Sequence, residues 1–198
     1  MPETLPMPDA EVLFFADFFS AEESQHYFEA LHHEIQWQHS EVSMFGKAIK
    51  VPRLTAWYGD EGKSYSYSGI THHPRKWTDD LLQIKAKIEA VAETRFNSVL
   101  LNLYRDGADS VGWHSDDEPE LGKNPVIASL SFGDVRQFQF KHKNEECQRI
   151  SIDLTPGSLL LMRGTTQHHW KHRIPKTKKE KSARMNLTFR VIDVAAKL

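Results

Sequence analysis

Three short strings carry the residues able to do chemistry: Trp113-His114-Ser115-Asp116, then His172, then Arg184-Met185-Asn186-Leu187-Thr188-Phe189-Arg190. The first two supply imidazole, carboxylate and imidazole. That set holds a non-haem Fe(II) on one face and leaves the other positions to water, oxygen and a chelating cosubstrate. His114 and Asp116 point to the same side of an extended segment, and Gly112 before them with Asp117-Glu118-Pro119 after them marks a strand end. A bare His-x-Asp says little in a chain with 11 histidines, and zinc hydrolysis uses the same ligands. Arg184 separates the two chemistries. 2-Oxoglutarate chelates iron through its oxo-acid end and leaves a distal carboxylate, which a guanidinium grips bidentately at any pH. A zinc hydrolase has no evident use for such a residue. Arg190 shares the strand face, but six extended residues span about 20 Å. Arg184 is therefore assigned to the distal carboxylate and Arg190 to the metal end, near the other carboxylate.

The elements around these strings follow from patterning. From Asn97 onward short strands are predicted at Val99–Tyr104, Val126–Phe132, Val135–Lys141, Arg149–Leu154, Ser158–Arg163 and Met185–Asp193, punctuated by Gly-Asp, Pro-Gly and polar stretches. Strands at this spacing suggest a two-sheet jelly roll that brings His172 beside His114. In the last strand Arg184, Asn186, Thr188 and Arg190 share one face, and in the first Asn102 and Tyr104 do. Such faces line either a wet lumen or a solvated exterior. Earlier, Ser20-Ala21-Glu22-Glu23 is a capping box for a helix carrying Tyr27, Phe28, Leu31 and Ile35. A second helix starts at Thr78, with Leu81, Ile84, Ile88 and Val91 at helical spacing. Residues 38–77 alternate aromatics with small polar residues and read as hairpins and loops. The doublets His32-His33, His72-His73 and His168-His169 read as surface or packing residues, because adjacent strand residues point apart.

With 198 residues and 39% hydrophobic content the chain is expected to form one domain, 1–198. No apolar run approaches the roughly 20 residues that cross a bilayer, the start lacks the pattern of a secretory leader, and Cys147 stands alone. The expected location is cytoplasmic, or nuclear in a eukaryote, without membrane contact. A net charge of −2 conceals an asymmetry: residues 1–46 hold no Lys or Arg, whereas Arg163, Lys171, Arg173, Lys176, Lys178, Lys179, Lys181 and Arg184 cluster near one another. The cluster, with Lys176, Lys178 and Lys179 at its centre, is a candidate phosphate contact.

Together Asn102-Leu103-Tyr104, His114-Ser115-Asp116, His172 and the complete Arg-x-Asn-x-Thr-x-Arg string at 184–190 resemble the AlkB family of Fe(II)- and 2-oxoglutarate-dependent nucleic-acid dioxygenases. Ile127–Gly133 and Phe138-Gln139-Phe140 are similar to it as well, and the resemblance runs from about residue 40 to 193. It implies an α+β fold with a double-stranded β-helix (jelly roll) core over 97–195. A helical N-terminal extension over 1–37 would pack on one sheet, and a β-hairpin nucleotide-recognition lid would occupy 38–77. It implies Fe(II) on His114, Asp116 and His172, with 2-oxoglutarate and O2 as cosubstrates. Asn102, Tyr104, Arg184, Asn186, Thr188 and Arg190 would hold the 2-oxoglutarate.

The chain looks most like the branch acting on double-stranded DNA. Phe45-Gly46-Lys47 is similar to that branch's hairpin tip, where an aromatic wedge fills the gap left by a flipped base. Tyr65-Ser66-Tyr67-Ser68 matches the stretch forming the base pocket. Tyr67 and the His114 ring would sandwich the base, with Tyr65 and Ser68 nearby and Asp117 and Glu118 at the polar edge. The implied activity is oxidative demethylation of 1-methyladenine and 3-methylcytosine in DNA, releasing formaldehyde, succinate and CO2, by a protein acting as a monomer. Two alternatives stand beside it: the same chemistry on single strands, including RNA, and a non-catalytic nucleic-acid-binding module with a structural metal.

Overall fold

A computed structural model of the protein describes residues 1–44, 47–62, 65–67, 70–72, 74–144 and 148–193. In chain order the elements are β1 (Glu3–Thr4), β2 (Glu11–Phe15), α1 (Ala21–Glu34), β3 (Gln38–Met44), β4 (Lys47–Gly59), β5 (Tyr65–Tyr67), β6 (Ile70–His72) and α2 (Asp79–Ala92). Then follow β7 (Ser98–Tyr104), β8 (Val111–His114), a single 3-10 turn (Pro119–Leu121), β9 (Ile127–Gly133), β10 (Arg136–His142) and β11 (Arg149–Leu154). The chain continues with β12 (Leu159–Arg163), α3 (Thr166–His169), β13 (Trp170–Ile174) and β14 (Arg184–Arg190).

Among the described residues the strands form a large sheet in the order β1-β2-β12-β9-β14-β7-β4-β3, a smaller one in the order β11-β10-β13-β8, and the β5-β6 pair. The named ladders are antiparallel. The two main sheets face each other as a jelly roll with helices on the outer face of the larger one, an α+β architecture.

Alternation within the strands decides which side each residue serves. In β12, Leu159 and Leu161 join the core beneath the helices, while Leu160 and Met162 enter the core between the sheets. In β14, Met185, Leu187 and Phe189 pack towards Leu31, Leu81, Ile84 and Ile88 of the helices. The between-sheet core is completed by Phe138, Phe140, Trp170 and Ile174 of the smaller sheet.

Both long helices begin where capping chemistry places them. The Ser20 hydroxyl accepts from the Glu23 amide at 3.1 Å and the Glu23 carboxylate accepts from the Ser20 amide at 2.7 Å, a reciprocal cap that satisfies two otherwise orphaned donors. Thr78 caps α2 through the Leu81 amide at 3.3 Å, and α2 ends at Glu93, whose φ of 52° is left-handed.

Three features depart from local sequence patterning. The stretch 1–37 contributes a core strand as well as a helix, because β2 pairs with β12 from Glu11↔Arg163 to Phe15↔Leu159. The stretch 38–77 is continuous with the large sheet, since Leu54–Gly59 pair with Leu103–Ser98. The last strand stops at Arg190 rather than Asp193: the Asn97 side chain accepts from the Ile192 amide at 2.7 Å and donates to its carbonyl at 2.9 Å, in place of a sheet neighbour.

Candidate metal centre and its pocket

The metal-binding strings meet between the two sheets. His114 ends β8 and His172 lies in β13, and the two are directly paired across the ladder. Asp116 follows two residues after β8. The ligand atoms of His114, Asp116 and His172 lie within 4.8 Å of one another. His172 Nε2 and Asp116 Oδ2 are 4.0 Å apart, too long for a hydrogen bond and suited to two ligands sharing an ion.

Each ligand is oriented by a neighbour. His114 Nδ1 lies 2.9 Å from the Gly112 carbonyl, a contact only an N–H makes, so Nε2 is left as the ligand atom. The His172 ring stacks on Phe138 at 5.3 Å and meets the His114 ring edge-on at 4.3 Å. The Asp116 amide donates to Gln167 Oε1 at 2.9 Å, and the Ser115 hydroxyl donates to the Trp170 carbonyl at 2.9 Å, tying this loop to α3 and β13.

The electrostatics keep this donor set ready for a cation. Burial on its own pushes the Asp116 carboxyl up, since only 3% of the residue is exposed. Arg190 foremost, then His172 and His114, more than offset this and hold it at about 2. Arg190 Nη2 donates to Asp116 Oδ1 at 2.6 Å. Burial, then His114, pushes His172 down to about 3 against the pull of Asp116, so its ring is neutral and its lone pair available. Two imidazoles and one carboxylate with a vacant side fit Fe(II).

The pocket wall is the alternate face of β7 and β14. Asn102, Tyr104, Arg184, Asn186, Thr188 and Arg190 line it together with Ser129 of β9 and the three metal-ligand residues. It is therefore an interior face and not a solvated one. Arg184 is 1% exposed. Its Nη2 donates to the Ser131 hydroxyl at 2.9 Å, and the guanidinium lies 5.2 Å from the centre of the Tyr104 ring. Among the described residues its Nε and Nη1 have no hydrogen-bond partner. Burial pushes this guanidinium down to about 10, with Tyr104 opposing the shift, so it stays fully charged at neutral pH. A buried cation with two idle donors is costly unless an anion completes it, and a carboxylate supplies what is missing. Asn186 donates to the Ser129 hydroxyl at 2.8 Å and the Leu130 carbonyl at 3.1 Å, and its own carbonyl accepts from Thr188 at 2.9 Å.

Asp117 and Glu118, expected at the polar edge of the base pocket, are not among the residues that line this cavity; Asp117 is exposed and pairs with Lys143 at 3.0 Å. Glu118 Oε2 is shielded from solvent without a hydrogen-bond partner among the described residues. Phe45, Gly46 and Ser68 lie outside the described residues, as do the side chains of Lys47, Tyr65 and Tyr67. Lys176, Lys178 and Lys179 are exposed on the connection between β13 and β14.

Several contributors escape sequence inspection. Arg53 of β4 lines the pocket, donating to Asn102 Oδ1 at 2.7 Å and the Ser110 carbonyl at 3.3 Å. Gln167 sits in α3, a four-residue helix with no periodic signal. Ser129 and Ser131 left a faint trace: small hydroxyl residues alternating with apolar ones in Ala128-Ser129-Leu130-Ser131.

Comparison with known proteins agrees with this geometry. A family model described as the 2OG-Fe(II) oxygenase superfamily matches residues 11–190. Alpha-ketoglutarate-dependent dioxygenase alkB homolog 3 of Bos taurus is 42% identical over 184 residues, covering 88% of this chain and 64% of that protein. The Mus musculus homolog 3 is 41% identical over 196 residues, covering 94% and 68%. DNA oxidative demethylase ALKBH2 of Homo sapiens is 40% identical over 184 residues, covering 88% and 70%. The chain thus spans about two thirds of the length of these relatives. A solved structure described as "The structure of OsALKBH1" shares the fold with a TM-score of 0.68 at 18% identity, covering 96% of this chain and all of that one. The clustered ligands, the buried arginine beside them and matches running through nearly the whole described chain lead to one assignment: the protein belongs to the AlkB family, within the Fe(II)- and 2-oxoglutarate-dependent oxygenase superfamily.

Proposed function

We propose that this protein oxidatively demethylates N-alkylated bases in DNA, with 1-methyladenine and 3-methylcytosine as its substrates. The observation that carries the reading is the buried Arg184, with two idle donors, in the same pocket as the metal-ligand trio. His114, Asp116 and His172 hold iron. Arg184 takes the distal carboxylate of 2-oxoglutarate, with Asn102, Tyr104, Asn186 and Thr188 fixing the rest of the molecule. Arg190 keeps Asp116 ionised and lies towards the other carboxylate. When bound, iron with O2 and 2-oxoglutarate supplies the oxidation of the N-methyl group to N-hydroxymethyl, one oxygen atom entering the methyl carbon and the other the new carboxylate of succinate. The hydroxymethyl adduct then breaks its C–N bond, releasing formaldehyde and the restored base, while 2-oxoglutarate leaves as succinate and CO2.

The base is reached by extrusion, which costs a few kcal/mol and less for a lesion that cannot pair. Tyr67 and the His114 ring sandwich the extruded base, with Tyr65 and Ser68 beside it; stacking returns about 1–3 kcal/mol per base. Phe45, flanked by Gly46 and Lys47, fills the vacancy in the duplex. Both substrates carry positive charge, and Glu118, whose shielded Oε2 has no hydrogen-bond partner among the described residues, supports selection of a cation; Asp117 contributes on leaving its pair with Lys143. The exposed Lys176, Lys178 and Lys179 meet phosphate. The relatives named DNA oxidative demethylase support DNA as the polymer.

The test offers the iron-loaded protein 2-oxoglutarate, oxygen and oligonucleotides holding one 1-methyladenine, as duplex and as single strand. The expected products are formaldehyde and adenine on DNA. Oxidation of 2-oxoglutarate with the lesion left intact would overturn the substrate assignment. Turnover on RNA alone would move the activity to the other polymer.

A further inference from the structure

A second set of metal-ligating side chains lies outside the pocket. Asp9 in the turn between β1 and β2, His142 at the end of β10 and His169 at the end of α3 bring their ligand atoms within 4.8 Å of one another. We propose that these three residues form a second divalent metal site, of the zinc class, which clamps the amino-terminal turn to the end of β10 in the smaller sheet.

The geometry matches that of the first trio. His142 Nε2 and Asp9 Oδ2 are 3.9 Å apart, against 4.0 Å for the corresponding pair in the catalytic cluster. Both separations exceed a hydrogen bond and approach the distance between two ligands of one tetrahedral ion, about 3.4 Å for bonds of about 2.0–2.1 Å. Two imidazoles and a carboxylate with a water in the fourth position are a zinc donor set. His142 is 3% exposed, wedged edge-on against Trp170 at 5.1 Å with its ring stacked over His169 at 6.0 Å. The Asp9 side chain is 61% exposed, which leaves the fourth position open to water.

The turn holding Asp9 is fixed independently of any ion. The Trp170 indole donates to the Pro8 carbonyl at 2.8 Å, the Thr165 hydroxyl donates to the Asp9 carbonyl at 3.0 Å, and the Glu11 amide donates to Thr166 at 3.0 Å. Asp9 itself sits at a φ of 55°, a left-handed conformation that Asp and Asn tolerate better than other non-glycine residues. His169 is held by its own carbonyl, which accepts from the Lys143 amide at 2.7 Å. Coordination through His142 Nε2 moves that ring's proton to Nδ1, so the 3.3 Å contact from the Asn144 amide is given up. Gln167, which holds the Asp116 amide, lies two residues before His169. The ion therefore braces the same short segment that orients the catalytic carboxylate.

The test counts metal. Untagged protein is stripped with a chelator, reloaded with Zn(II) and desalted, and zinc per chain is measured by mass spectrometry. The wild type is expected to retain two ions, because the catalytic trio also accepts zinc. Asp9→Asn, which suits the left-handed turn, and His169→Gln should each retain one. His172→Gln should also retain one, and Asp9→Asn with His172→Gln none. Zinc at a hundredfold excess over its Kd should raise the melting temperature of His172→Gln by roughly 5–10 °C and leave that of the double variant unchanged. Equal zinc content in the wild type, Asp9→Asn and His169→Gln would overturn the proposal, as would loss of all zinc from His172→Gln alone.

Discussion

Arg184 holds a charge that the fold surrounds without completing. One guanidinium nitrogen donates to Ser131, Nε and Nη1 have no hydrogen-bond partner among the described residues, and the Tyr104 ring lies beside the group, so the free pocket carries a desolvation cost that a carboxylate would remove. Arg184→Lys keeps the charge but loses the planar fork, and one charge-assisted hydrogen bond is worth about 1.5–3 kcal/mol. Its KM for 2-oxoglutarate should rise roughly tenfold to a hundredfold; an unchanged value would remove Arg184 from the cosubstrate site. Arg190 acts through Asp116. The folded carboxyl, at about 2, lies below its unfolded value of about 3.9. The ionised form is thus fully favoured above about 4 and lost as pH falls towards 2. Arg190→Gln removes the largest of the influences lowering it, so that window moves upward. Metal retention measured from pH 7 to pH 4 should fail at higher pH in Arg190→Gln than in wild type, and superimposable curves would contradict this.

The pocket depends on how β9 hands the chain to β10. Gly133 turns there with a φ of 83°, and a Cβ on it would sit 2.4 Å from the Ala183 carbonyl and 2.8 Å from the Phe28 ring. Gly133→Ala therefore strains the corner and pushes α1 from the connection leading into β14. A loss of about 1–3 kcal/mol is expected, a fall in melting temperature of roughly 3–10 °C; an unchanged melting temperature would show that the corner relaxes freely. Such a corner also marks the limit of what the chain reveals by itself. Helices α1 and α2 were legible because their caps and apolar spacing are local, and most of the long strands because alternation is local. The polar face of β14 was legible as Arg184, Asn186, Thr188 and Arg190 at period two, although whether it faced inward was not. The end of β8 and its neighbour carrying His172 were legible as extended segments, but not that β8 stops at His114, before Asp116; the four-residue α3 and the pairing of β2 with β12 were not legible, because distant partners impose them. For the same reason Arg53, Gln167 and Asp9 carry no local signature: each meets its partner 49 or more positions away.

Across the whole molecule the helices cover one face of the large sheet and leave the other to enclose a polar chamber against the smaller sheet. No helix among the described residues is long and apolar enough to cross a membrane. The acidic beginning of the chain meets the basic stretch at Glu11 and Arg163, 2.6 Å apart, while Lys176, Lys178 and Lys179 remain exposed. One chamber thus brings together His114, Asp116 and His172, the proposed iron ligands, and Arg184, the proposed carboxylate clamp, with basic residues exposed on the connection that leads into its wall. On the proposed function, consumption of 2-oxoglutarate and restoration of a methylated base are one reaction in that chamber. The direct measurement is a time course with Fe(II), 2-oxoglutarate, oxygen and a 1-methyladenine duplex, in which succinate and restored adenine are quantified in the same samples. One adenine is expected for each succinate, with both lost together in Arg184→Met. Succinate formed without adenine, or adenine restored by Arg184→Met without succinate, would contradict it.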